Sequence, residues 1–127
     1  PIAFVQLNPG ASVSPDELED WVRERTPERA AVPVAVIPVA TMPLTGVGKV
    51  FKPQLRWDAT KRVFTAILQP LAESGASIEV AVGAHGTHGS LATVKVSGIA
   101  PAERDAFAKK IHAALDPFVI RHEIVWA

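Results

Sequence analysis

A strongly marked helix start between two short apolar runs constrains the fold of this chain more than any other feature. Ser14 has the side chain of an N-cap, Pro15 suits the first helical position, and Glu17 stands three residues after the cap. The flanking apolar runs are Ile2–Leu7 and Val34–Val39. A strand, a helix and a second strand at this spacing favour a parallel pair of strands joined by a right-handed crossover.

The rest of the chain predicts a second group of elements. Apolar residues at helical spacing indicate a helix, which Pro70 is expected to kink or end early. Two apolar runs around a turn rich in glycine and histidine indicate a hairpin, followed by a second strong helix and an alternating strand. The predicted ranges are Ala59–Glu73, Ser77–Val82, Leu91–Ser97, Pro101–Asp116 and Phe118–Trp126. The order βαβ, loop, αββαβ predicts an α/β (α+β) fold of two small halves with mixed sheets, joined near Arg56–Thr60.

Composition narrows the classes of partner. The chain has 127 residues, of which 48% are apolar, enough to build a core. Its 13 basic and 13 acidic side chains balance, so no electrostatic footprint indicates a nucleic-acid partner. No apolar run is long enough to span a bilayer. Cysteine is absent, which fits a reducing compartment, and we predict a cytoplasmic protein.

A glycine-bounded loop carries the residue best suited to chemistry. The loop and the residues after it, positions 43–56, read P-L-T-G-V-G-K-V-F-K-P-Q-L-R. Gly46 and Gly48 let the backbone adopt positive φ and approach a ligand closely, and Thr45 supplies a hydroxyl. Lys49 supplies a compact charge suited to phosphate oxygens. The loop is not a Walker A motif, which has glycine where this chain has Pro43 and a hydroxyl residue after the lysine.

This stretch resembles the lysine loop at the C-terminal end of acyl-CoA synthetases and their adenylate-forming relatives. The matching positions include Pro43, Thr45, Gly48, Lys49, Leu55 and Arg56, and the preceding residues 3–25 resemble the same family. The resemblance implies that Lys49 is the catalytic lysine of acyl-adenylate formation. It also implies that Thr45, Gly46 and Gly48 are the cofactor-binding loop residues. Lys52 and Arg56 match further basic positions of the family.

The resemblance also implies a context for the chain. We expect residues 1–57 to be the lid subdomain of an AMP-forming ligase of the fatty-acyl type, and residues 58–127 to be an α/β extension. The implied cofactors are ATP with Mg²⁺ and CoA, and the implied partner is an N-terminal adenylation domain that carries most of their binding groups. Because the chain starts at Pro1 without methionine, we expect a fragment that is inactive in isolation. Ala30 and Ala31 stand where the family usually has a Tyr-Lys pair.

The histidines raise a metal hypothesis. His85 and His88 lie three residues apart on the predicted turn, but zinc sites need a third or fourth ligand. His112 lies on a predicted helix and His122 on a predicted strand, and no sequence feature brings them together. We therefore predict exposed turn histidines and no metal site.

Two alternatives remain open. The chain fits an α/β interaction module in which residues 58–127 mediate self-association into a homo-oligomer. It also resembles the tautomerases that begin with proline, because the sequence opens Pro1-Ile2-Ala3 and has a predicted βαβ unit. In those enzymes the free secondary amine acts as the base. That hypothesis leaves the lysine loop unexplained.

Overall fold

The computed structural model describes all residues, 1–127. It divides into two compact units, Pro1–Leu55 and Arg56–Ala127. Helices and strands occur in both, with one small sheet in each, so the predicted α/β class is confirmed. None of the helices combines the length and apolar character needed to cross a bilayer.

The first unit is built on the predicted strand–helix–strand arrangement. Strand β1 (Ile2–Val5) pairs in parallel with β2 (Ala35–Pro38), and helix α1 (Pro15–Arg25) lies between them in sequence. A short 3₁₀ turn, Arg29–Ala31, precedes β2. The predicted capping box forms, because the backbone N–H of Glu17 donates to the Ser14 hydroxyl and the Ser14 N–H donates to the Glu17 carboxylate.

A side chain of α1 also bonds to β2. The Glu19 carboxylate accepts a hydrogen bond from the backbone N–H of Val36 at 3.1 Å. Val36 is the one buried core residue of this unit, at 5% exposure. The contact therefore satisfies a backbone donor at the point where the strand is most enclosed.

The second unit is a three-stranded sheet with helices. Strands β3 (Ser77–His85) and β4 (Gly89–Ser97) form the predicted antiparallel hairpin. Helix α3 (Arg104–Leu115), entered through the 3₁₀ turn Pro101–Glu103, leads to β5 (Arg121–Trp126), which pairs in parallel with β4. Side chains from the helices and the sheet share one core, whose largest fully buried members are Phe64, Leu68, Val94, Val96, Ile111 and Leu115.

Helix α2 (Lys52–Ala72) corrects the predicted start of this helix and one of the two effects expected of Pro70. It begins seven residues before the predicted Ala59, because the polar residues of its first turns hide the helical period. Pro70 lies inside the helix and does not end it early. A proline so close to the C-terminus removes one hydrogen bond, and the next turn still closes with the Glu73 N–H donating to the Gln69 carbonyl at 3.2 Å. The boundary between the two compact units falls within this helix.

Strand β5 is shorter than predicted. Residues Phe118 to Ile120 lie in a bend, and the backbone N–H of Phe118 donates to the carbonyl of Leu115 at 3.0 Å. The chain is therefore still leaving helix α3 at these positions. The alternation predicted for the strand is kept from Arg121 onward, with His122, Ile124 and Trp126 on the more buried face.

Candidate functional site

The lysine loop is a tight hairpin closed by backbone hydrogen bonds. Leu44 and Val50 form an antiparallel bridge, and the Phe51 N–H donates to the Pro43 carbonyl at 2.8 Å. Closer to the tip, the Thr45 N–H donates to the Lys49 carbonyl at 2.7 Å. Three residues, 46–48, form the connection, a common length for a hairpin with a glycine near its end. The loop therefore has a defined shape before any ligand binds.

The two loop glycines have different roles. Gly48 has φ +79°, in the left-handed region that favours glycine, and its N–H donates to the Thr45 carbonyl at 2.9 Å. Gly46 does not have positive φ, contrary to the expectation for both glycines. A Cβ at Gly46 would meet nothing within 4 Å. Only Gly48 is required by the conformation of the hairpin itself.

Thr45 fixes the backbone of the lysine. Its hydroxyl oxygen accepts a hydrogen bond from the Lys49 N–H at 3.1 Å, and the Thr45 residue is half-buried. The sequence suggested this hydroxyl as a ligand-binding group. In the structure its oxygen is engaged within the loop, while its own proton is free to be donated.

The side chain of Lys49 is exposed and makes no hydrogen bond or ion pair within the chain. A fixed backbone with an unpaired ammonium is well suited to meet an anion supplied from outside. Exposed Val47 stands beside it at the loop tip. Lys52 and Arg56, the other two basic positions of the stretch, are exposed residues of helix α2.

The histidine-rich turn is organised internally. The Nδ1 atom of His85 accepts the backbone N–H groups of Thr87 and His88 at 3.2 and 3.3 Å. The rings of His85 and His88 stack with centroids 4.9 Å apart. One ring nitrogen of His85 is thus used to hold the turn, which leaves fewer lone pairs for a shared cation than the sequence suggested.

The other two histidines do come together, contrary to the expectation from the sequence. His112 Nδ1 and His122 Nε2 are 2.7 Å apart, and Asp116 lies beside them. All four histidines line one open cleft of about 540 Å³. A signal was present: His122 falls on the inward face of the predicted strand, and His112 and Asp116 are four apart on one helix face.

Comparison with known proteins shows what the first part of the chain is similar to. Residues 1–49 match the family described as AMP-binding enzyme C-terminal domain. The chain is also 38% identical over 71 residues to the marinolic acid–CoA ligase of Pseudoalteromonas sp. (strain SANK 73390). That alignment covers 56% of this chain and 11% of the relative, so the chain spans about a tenth of that protein's length. No solved structure matches. Residues 1–49, which end at the lysine of the loop, are thus similar to the C-terminal domains of AMP-binding enzymes, and the aligned part of the chain is similar to an acid–CoA ligase.

Proposed function

We propose that this chain is the lid domain of an AMP-forming acyl-CoA synthetase and that Lys49 supplies the charge needed for acyl-adenylate formation. The observation that carries the proposal is the free ammonium of Lys49 on a hairpin that Thr45 and Gly48 hold in shape. The family match of residues 1–49 supports it, since the match ends on this lysine.

Acyl-adenylate formation requires a cation that is in place before negative charge develops in the transition state. A carboxylate oxygen attacks the α-phosphorus of ATP, a new O–P bond forms, and the bond to the bridging oxygen breaks to release pyrophosphate. Negative charge grows on the oxygens around phosphorus as this happens. An ammonium held there in a water-poor cleft stabilises the transition state more than the ground state. Lys49 would take this role when the lid closes over the preceding domain.

The nucleotide and the thiol are substrates that the lid meets but does not hold alone. The hairpin tip, residues 45–49, offers backbone N–H groups, one hydroxyl and one ammonium, all suited to phosphate. It has no carboxylate, so the Mg²⁺ of MgATP would be held elsewhere. We therefore propose that an N-terminal adenylation domain carries most of the groups that bind ATP, the acid and CoA, and that the present chain is inactive without it.

The proposed substrate class is based on the matched acid–CoA ligase and on the resemblance of the lysine loop to that of acyl-CoA synthetases. The matched protein is named as an acid–CoA ligase, which supports a carboxylic acid and CoA as the substrates here. We propose a fatty or related acid, activated in the cytoplasm, with the lid turning to present a different face when the CoA thiol attacks the adenylate. The α/β extension over residues 58–127 would then be an appendage of the lid.

The test is ATP–pyrophosphate exchange, measured on a full-length synthetase that contains this chain as its lid domain. Lys49→Ala is compared with Lys52→Ala, which removes an exposed ammonium three residues away on α2. We expect exchange to fall by about 100-fold or more for Lys49→Ala, the range for losing one preorganised charge-stabilising group. Lys52→Ala should retain most of the activity.

A second assay separates the two half-reactions. Thioester formation from supplied acyl-adenylate and CoA should survive in Lys49→Ala, because the adenylation charge is no longer needed. A panel of carboxylic acids of increasing chain length identifies the substrate by its exchange rate. Exchange that is unchanged in Lys49→Ala contradicts the proposal and leaves the loop as a turn in a binding or self-association module.

A further inference from the structure

Three potential metal ligands converge at one end of helix α3, in the second unit. His112 lies in the last turn of the helix, Asp116 caps its C-terminus, and His122 comes from the adjacent strand β5. The His122 Nε2 atom is 2.7 Å from His112 Nδ1 and 3.9 Å from an Asp116 carboxylate oxygen. One ligand atom from each residue lies within 4.8 Å of the other two. Two secondary-structure elements thus bring two imidazoles and one carboxylate to a single point.

The local fold fixes the backbone that joins His112 to Asp116 and the side chain of His122. The Asp116 backbone N–H donates to the His112 carbonyl at 2.8 Å, so the helical turn that joins these residues is closed. The His122 side chain is only 7% exposed, whereas that of Asp116 is 68% exposed. The buried imidazole is held by its surroundings, and the carboxylate is free to rotate toward it.

The two imidazoles share a single hydrogen. At 2.7 Å one ring nitrogen donates and the other accepts, so the shared contact is made only while at least one ring is neutral. Burial lowers the pKa of His122, neighbouring His112 lowers it further, and Asp116 opposes the shift. Neutral imidazole is also the form that binds metals.

The Asp116 carboxylate lies where a bound cation would offset an unfavourable electrostatic interaction. Asp116 is at the C-terminal end of α3, where the helix dipole is negative and disfavours another negative charge. No lysine or arginine forms an ion pair with it; its one ion-pair contact is with His122. A bound cation would interact favourably with the carboxylate and with the helix end at once.

We propose that His112, Asp116 and His122 form a binding site for a divalent transition-metal cation of the zinc class. Two nitrogens and one oxygen favour such an ion over Mg²⁺ or Ca²⁺, which select all-oxygen sites. Around tetrahedral zinc, two nitrogens at about 2.05 Å from the metal lie about 3.3 Å apart, so the two rings need to separate by about 0.6 Å. The shared hydrogen moves to the other nitrogen of its ring, and both imidazoles remain neutral.

The site has room for a further ligand. The cleft beside it is open and is lined also by His85 and His88 of the β3–β4 turn and by Glu123. Three protein ligands with a water in the fourth position is a coordination that zinc adopts in proteins, in its catalytic sites. The cation would link the end of α3 to β5 and so stabilise this unit. The inference does not depend on the proposed role of Lys49.

The experiment uses the full 127-residue chain, stripped of metal with a chelator and titrated with Zn²⁺ by calorimetry. Thermal unfolding is followed with and without Zn²⁺, and Co²⁺ is used as a spectroscopic probe. We expect one equivalent to bind, the unfolding temperature to rise, and Co²⁺ to develop the visible bands of a tetrahedral site. His112→Gln should weaken binding by at least about tenfold, since even indirect partners of metal ligands contribute 10- to 100-fold.

Matched variants keep the test decisive. His112 is exposed, so His112→Gln should fold, and circular dichroism checks that it does. His85→Gln and His88→Gln remove imidazoles from the same cleft and should leave binding unchanged. No binding of Zn²⁺ by the wild-type chain overturns the proposal. Binding that survives in His112→Gln but is lost in His85→Gln or His88→Gln overturns it as well.

Discussion

The hydroxyl of Thr45 accepts the backbone N–H of Lys49 at 3.1 Å, so the residue proposed for catalysis is held by a side chain four positions before it. The Thr45 N–H in turn donates to the Lys49 carbonyl at 2.7 Å. These two contacts join the arms of the hairpin below its tip. They orient the Lys49 backbone while its ammonium stays free.

Replacing Thr45 with valine should loosen this arrangement without changing side-chain size. One exposed hydrogen bond is removed, with an expected cost of about 1 kcal/mol or less. We expect faster amide hydrogen exchange at Lys49 and a lower rate of pyrophosphate exchange in the proposed synthetase. Thr41→Val is the matched control, because the Thr41 hydroxyl makes no hydrogen bond in the chain. Equal effects of the two variants would contradict the role given to Thr45.

The loop glycines should respond differently to alanine. At Gly48 a Cβ meets no neighbour, but φ of +79° is strained for an L-residue and costs about 1–2 kcal/mol. At Gly46 neither space nor positive φ opposes alanine. The backbone N–H of residue 48 closes the turn by donating to the Thr45 carbonyl. Its hydrogen exchange should therefore accelerate in Gly48→Ala and change little in Gly46→Ala. A larger effect at Gly46 would show that the turn has another conformation.

The cap of helix α1 should contribute measurably to the first unit. Removing an N-cap hydroxyl costs about 1 kcal/mol, so Ser14→Ala is expected to lower the stability of this unit by that amount. Ser12→Ala, in the preceding loop, is the control, because Ser12 caps no helix. Amide hydrogen exchange of the α1 residues, Pro15–Arg25, measures the difference. Equal stabilities of the two variants would exclude the cap as a contributor.

The same cap should make stability depend on acid pH. The Ser14 backbone N–H, and then its side chain, lower the pKa of Glu17 below its usual 4.5. A carboxylate with a depressed folded-state pKa contributes stability above the unfolded value, and this is lost as pH falls through the folded value. Glu17→Gln should therefore abolish this pH dependence below 4.5, whereas Ser14→Ala, which keeps the backbone N–H, should reduce it only in part. Titration of the Glu17 carboxyl by NMR tests the shift directly.

Local signals in the sequence predicted local structure well. The capping box depends only on residues 14–17, and the buried side chains Phe107, Ile111 and Leu115 follow from a spacing of four. Signals of this kind do not depend on how distant parts of the chain meet. The start of α2 at Lys52 was missed because its first turns are polar on most faces.

The histidine cluster could not be predicted in the same way. His112 and His122 meet only because β5 pairs with β4 in one register, with His122 opposite Ala92, and because α3 packs its apolar face on the sheet. A shift of one residue would turn His122 to the other face. Likewise, only the structure separates Gly48, which needs positive φ, from Gly46, which does not.

The buried imidazole of His122 should make the second unit sensitive to pH in the absence of metal. Its pKa is lowered from its usual 6.5, first by burial and then by His112, against the opposing effect of Asp116. Between the folded and unfolded pKa values the unfolded chain binds the extra proton, so the free energy of unfolding should fall as pH is lowered below 6.5. Below the folded pKa this contribution should no longer change.

NMR titration of the imidazole and denaturant unfolding between pH 5 and 8 measure this effect. His88→Gln is the control, because His88 lines the same cleft but lies on the exposed turn. His112→Gln should move the His122 titration back toward its usual range, since it removes the second cause of the shift. The other charged groups lining the cleft, Arg121 and Glu123, are present in every variant and cancel in the comparison. A His122 titration at or above its usual range in the wild-type chain would contradict the burial of this side chain.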